Sequence, residues 1–141
     1  APMMVTHPLR GFAVWDGHWA LELEDQVIVD GRDLGAELGY DKVFGFQALG
    51  GRPFYFYEDG GTVFLSYDGE TLPGTYDQVI HNQCCEPAMF NVQGNQDMVW
   101  FHALRDGTWY YVEAGRYDGE AEGRHEGPGA SSGPASFRPA G

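Results

Sequence analysis

The chain is poor in cysteine, in basic residues and in long apolar runs. Its 141 residues include two cysteines, Cys84 and Cys85. With no third cysteine, the one intrachain bridge available joins sequence neighbours. Eight Lys and Arg stand against 21 Asp and Glu, for a formal net charge of −13. The few basic residues are scattered, whereas phosphate contacts need clustered Lys and Arg, so nucleic acid is not an expected partner. An anionic membrane surface repels such a chain. No apolar run approaches the ~20 residues of a membrane helix, so no membrane insertion is expected. A P-loop and a dinucleotide fingerprint are also missing, and neither an enzyme nor a cofactor is expected.

Aromatics and glycine are abundant: aromatics make up 15% of the chain and there are 21 glycines. The stretch from Phe54 to Val79 reads strand, tight turn, strand, tight turn, strand, and its parts recur on both sides. Three aromatic hairpin segments restart at Trp19, Val63 and Trp109, with spacings of 44 and 46 residues. A second element, Tyr-Asp-x-Val, occurs at Tyr40–Val43 and Tyr76–Val79. Similarity at such a period marks arrayed supersecondary units. Asp-Gly, the type I′ turn dipeptide, occurs at 16, 30, 59, 68, 106 and 118. Short strands with regular turn signals predict an all-β fold. The expectation is a small antiparallel sandwich or barrel-like domain over residues 9–116, built from about two hairpin repeats. An extended segment, 1–8, precedes it and a Gly/Pro/Ser-rich arm, 117–141, follows.

Alternation sets strand faces. In the strand from Trp19 it groups Trp19, Leu21 and Leu23 on the apolar face, with Ala20, Glu22 and Glu24 opposite. In Phe54–Tyr57 neither face is polar: the strand is covered on both sides, or it shows Tyr55 and Tyr57 to a partner. Asp33 and Gly39 bracket one short helix over 34–38. Residues 82–96 are irregular, with one turn over Pro87–Phe90.

Trp109-Tyr-Tyr-Val and the two Tyr-Asp-x-Val elements resemble the WG-repeat (KWG) type of β repeat, loosely over residues 12–113. The chain departs from that pattern: no Trp-Gly dipeptide occurs and the spacing is longer. The resemblance implies a repeat-built β scaffold used for binding or surface structure. It supplies no catalytic residue.

The arm has little apolar content apart from Phe137. Ordering its backbone costs about 1 to 2 kcal/mol per residue, which one monomer's surface does not offset. Extended, it reaches about 70 Å at ~3.1 Å per residue, enough to cross a neighbour. It is therefore read as an assembly arm.

Each candidate site has a plain structural alternative. Cys84-Cys85 forms a vicinal disulfide, or stays as two thiols, or links to other chains or a metal. The stretch His81-Asn-Gln-Cys-Cys-Glu86 holds ligand types for zinc, with His102 or His125 as fourth partner, but lacks the usual spacing, and a turn with an incidental His is the reading preferred. The acidic pairs Glu58-Asp59, Asp30 with Asp33, and Glu22-Glu24-Asp25 match no calcium-loop pattern, and most of these aspartates are turn residues. Trp15, Trp19, Trp100 and Trp109 are assigned to the core. Tyr55, Tyr57, Tyr110, Tyr111 and Phe137 are the candidate assembly or ligand face. The expected function is a non-enzymatic secreted or cell-surface structural protein that self-associates into an oligomer or filament. The alternative is a monomeric extracellular module that binds carbohydrate or another ligand through exposed tyrosines. The start, Ala1-Pro2-Met3-Met4, is read as that of a processed chain.

Overall fold

A computed structural model describes residues 9–115 and the backbone of His125–Glu126. Among these residues the fold is all-β, with three small antiparallel sheets and no closed barrel. The first sheet orders β1 (Gly11–Trp15), β2 (His18–Leu23), β3 (Gln26–Val29) and β4 (Arg32–Asp33) as a meander. The middle sheet does the same with β5 (Lys42–Leu49), β6 (Arg52–Asp59), β7 (Thr62–Tyr67) and β8 (Glu70–Thr71). In the last sheet, β11 (Met98–Arg105) and β12 (Thr108–Gly115) form the central hairpin. β11 also pairs with two short strands, β9 (Gln78–Val79) and β10 (Gln93–Gly94). β12 pairs with β13 (His125–Glu126). That short part of the expected arm therefore runs beside its own chain. Phe137, the rest of the arm and segment 1–8 lie outside the described residues.

Turn chemistry sets the hairpins. At Asp16-Gly17, Asp30-Gly31, Asp68-Gly69 and Asp106-Gly107 both residues have positive φ, as a type I′ turn requires. At 59–61 the turn has shifted by one residue onto Gly60-Gly61. The one α-helix among the described residues, Leu34–Leu38, is capped as expected: the Asp33 carboxylate accepts the Ala36 N–H, and Gly39 closes it at φ 81°.

The middle sheet is buried on both faces. Phe44, Phe54, Phe56, Val63, Leu65 and Tyr67 pack against Val99, Phe101, Ala103, Val112 and Ala114 of the last sheet. Val43, Phe46, Tyr55, Tyr57 and Phe64 pack against Ala20, Val27 and their neighbours in the first sheet. The architecture is thus a stack of three sheets, where the sequence predicts two repeats in a sandwich or barrel. The first sheet completes a unit of its own, and the first strand of the last sheet is split into β9 and β10.

Three expectations are corrected. Tyr55 and Tyr57 are not an outward face; each is 7% exposed, because the first sheet covers them. The tryptophans do not form the core: Trp19 and Trp109 are exposed and Trp15 and Trp100 half-buried. In β2 the inward face is the other one. Ala20 is buried and Glu22 faces the middle sheet, while Trp19 looks outward.

Candidate functional site

The burial of Glu22 explains that inversion. β5 contains a bulge between Phe44 and Gln47, where Gly45 takes φ 67°. A bulge leaves backbone N–H groups without ladder partners. The Glu22 carboxylate accepts both, from Gly45 at 2.9 Å and from Phe46 at 2.8 Å. The bulge lets Phe44 face the last sheet while Phe46 faces the first. Gly45 is required twice over: a Cβ there would lie 2.5 Å from the Phe56 ring, on a backbone that L-residues avoid. Burial pushes the Glu22 carboxyl above its ordinary value, and the two backbone N–H groups partly offset this.

Glu22 lines a cleft of about 490 Å³ between the first and middle sheets, with Arg10, Gln47, His81, Asn82 and Gln93 also on its wall. His81 stacks flat on Phe44, with ring centroids 3.5 Å apart. Its Nδ1 lies 2.7 Å from the Val79 carbonyl oxygen and its Nε2 lies 2.8 Å from Asp25 Oδ1. Asn82 donates to the same Asp25 oxygen. Asp25 sits in the β2–β3 turn, so this network ties the last sheet's entry strand to the first sheet. Both ring nitrogens of His81 are engaged, one on the last sheet's entry strand and the other on the first sheet. The carboxylate, the histidine and the amides therefore work as a seam.

Residues 80–92 form an insertion between β9 and β10. Gln83 and Asn91 close its base reciprocally: the Gln83 backbone N–H donates to the Asn91 side chain, which donates back to the Gln83 carbonyl. Inside it Cys84 and Cys85 form the vicinal disulfide. Glu86–Phe90 is a 3₁₀ turn, longer by one residue than expected.

Two further surfaces are the outer faces of the end sheets. Cross-strand pairs place Phe12 opposite Leu21 and Val14 opposite Trp19 on the outer face of the first sheet, continued by Ile28 beside Leu21. Phe12 is 61% exposed and Val14 65%. On the last sheet, Leu104 pairs with Trp109 and His102 with Tyr111. Trp109 is 46% exposed, and Phe90 of the insertion meets His102 edge to face. The His102 Nδ1 is buried there without a hydrogen-bond partner among the described residues.

Among the described residues of the predicted face, only Tyr111 lies on an open surface, where its hydroxyl donates to Glu113. Tyr110 points inward, half-buried against the core, with the Arg105 guanidinium 5.0 Å from its ring. Glu22, Phe12, Val14 and Leu104 were missed. The glycine inside Phe44-Gly45-Phe46 was the available signal for the bulge. Among the described residues no group of three or more His, Cys, Asp or Glu is placed to hold a metal. Among these residues no helix is long and apolar enough to cross a membrane.

Comparison with known proteins gives no similarity from which to argue: no family model, curated protein or solved structure matches the chain.

Proposed function

We propose that the chain is a non-enzymatic β-repeat scaffold that self-associates through the outer faces of its two end sheets. One observation carries this reading. The middle sheet is covered on both sides by neighbouring sheets, whereas each end sheet presents aromatic and aliphatic side chains to solvent. Contiguous exposed apolar patches of this kind mark interaction surfaces. The resemblance to WG-repeat proteins points the same way, towards a scaffold for binding or surface structure. The Cys84–Cys85 disulfide favours a secreted or cell-surface setting, where such bonds persist.

Size-exclusion chromatography with light scattering tests the proposal on the full chain. An oligomer is expected for the native sequence, and monomer for a chain carrying both Val14→Glu and Trp109→Glu. A native chain that elutes as a monomer at high concentration overturns it. The carbohydrate reading loses its main support, because Tyr55 and Tyr57 are buried.

A further inference from the structure

The central hairpins β2–β3, β6–β7 and β11–β12 align without gaps, because each has a two-residue turn. Val27 then corresponds to Val63 and Trp109. Ala20 corresponds to Phe56 and His102, and Ile28 to Phe64 and Tyr110. This differs from matching Trp19 with Val63, which pairs different hairpins of successive sheets. The first two sheets are 36 residues apart in this alignment, as are the two Tyr-Asp-x-Val elements. The last sheet is offset by ten more, in keeping with the insertion between β9 and β10.

Aligned in this way, every sheet has a leading and a trailing face. Val27 on the leading face of the first sheet is fully buried against the middle sheet. Val63 on the leading face of the middle sheet is 1% exposed, packed against the last sheet. Trp109, at the same position of the last sheet, has nothing to lead onto among the described residues and stands 46% exposed. The trailing faces run in the opposite sense. Tyr110 packs inward on the middle sheet and Phe64 on the first. Ile28 has no sheet behind it among the described residues. The two open surfaces are therefore a leading face and a trailing face, the two halves of the contact that the chain already makes twice internally.

We infer that a second copy of this chain supplies the missing halves, with the Trp109 face of each copy on the Val14 face of the other. This rests on the self-association proposed above and adds its geometry. The contact is heterologous, so it either closes into a ring or propagates as a fibre. Two copies of a three-sheet stack give six sheets, within the range of about 4 to 8 at which radially repeated four-stranded sheets close. Closure also covers the exposed edge residues Phe12 and Val14. The assembly is thus a two-copy ring of six sheets.

Complementation of two single-face variants tests this on full-length chains. Val14→Glu blocks the trailing face and Trp109→Glu the leading face. Each variant alone is expected to run near 15.6 kDa, because it retains one usable face with no usable counterpart. An equimolar mixture is expected to form a heterodimer across the remaining native pair of faces. Circular dichroism verifies that each variant is folded; should Val14→Glu fail, Phe12→Glu blocks the same face. A native chain of two copies, monomeric single variants and a dimeric mixture support the ring. A single variant that still dimerises means that like faces pair, and a native chain that grows into fibres means that the contact does not close. Either result overturns this inference and leaves self-association standing. A mixture that stays monomeric overturns the head-to-tail pairing, and a monomeric native chain overturns both readings.

Discussion

The carboxylate of Glu22 holds the backbone N–H of Phe46 at 2.8 Å, across the seam between two sheets. That contact, doubled at Gly45, decides which way Phe46 points and so what fills the space under the first sheet. A polar side chain on β2 is therefore part of the packing.

Removing the acceptor should loosen that seam. Each buried N–H left without a partner costs roughly 1–3 kcal/mol. Glu22→Ala strands two of them, so a loss of about 2–6 kcal/mol is expected in denaturant unfolding. Gly45→Ala should cost a similar amount, about 2–4 kcal/mol, from left-handed backbone strain plus overpacking on Phe56. Stability within experimental error of the native chain for either variant would show that the bulge is not held in this way.

Glu22 also makes stability depend on pH in an unusual sense. Burial raises its folded pKa above the ordinary 4.5, so the protonated form is favoured in the folded chain. Its contribution is fully present below pH 4.5 and is lost as pH rises through the folded pKa. The stability of the native chain relative to Glu22→Gln should therefore be greatest in mild acid and shrink towards neutrality. A relative stability that grows with pH contradicts the assignment. Measuring the difference between the two proteins cancels the many other acidic groups.

Salt should strengthen the assembly. Two copies that each carry −13 repel one another, while the faces that join them are apolar. The Debye length falls from about 30 Å at 0.01 M to about 8 Å at 0.15 M, which screens the repulsion and leaves apolar burial almost unchanged. Light scattering at fixed protein concentration should show the associated fraction rising over that range. A fall would mean that attraction between opposite charges holds the copies together.

The disulfide should be local in its effect. Alkylation without reductant should label no thiol, and after reduction it should label two. A bridge between neighbours closes almost no loop, so its loss should lower stability by only about 1 kcal/mol. A large drop would mean that the insertion carries more of the fold than its closure by Gln83 and Asn91 suggests.

Local chemistry was legible in the sequence, and long-range placement was not. Asp-Gly pairs announced the hairpins, and Asp33 and Gly39 announced the helix, because turns and caps depend on a few adjacent residues. The doubly apolar strand Phe54–Tyr57 left two readings open, burial on both sides or tyrosines shown to a partner, and only the first sheet packed over it decides for burial. The faces of β2 were misread because alternation treats a carboxylate as outward. Only Gly45 and Phe46, more than 20 residues away, make Glu22 an inward residue. The tryptophans were misread for a related reason. Trp109 occupies the position that Val63 fills in a buried layer, and only its place at the end of the stack exposes it.

Sedimentation equilibrium of the unaltered chain over a wide concentration range tests the central claim most directly. Open, complementary end faces predict a weight-average mass that climbs from 15.6 kDa and levels at twice that value. A mass fixed at 15.6 kDa throughout would contradict it.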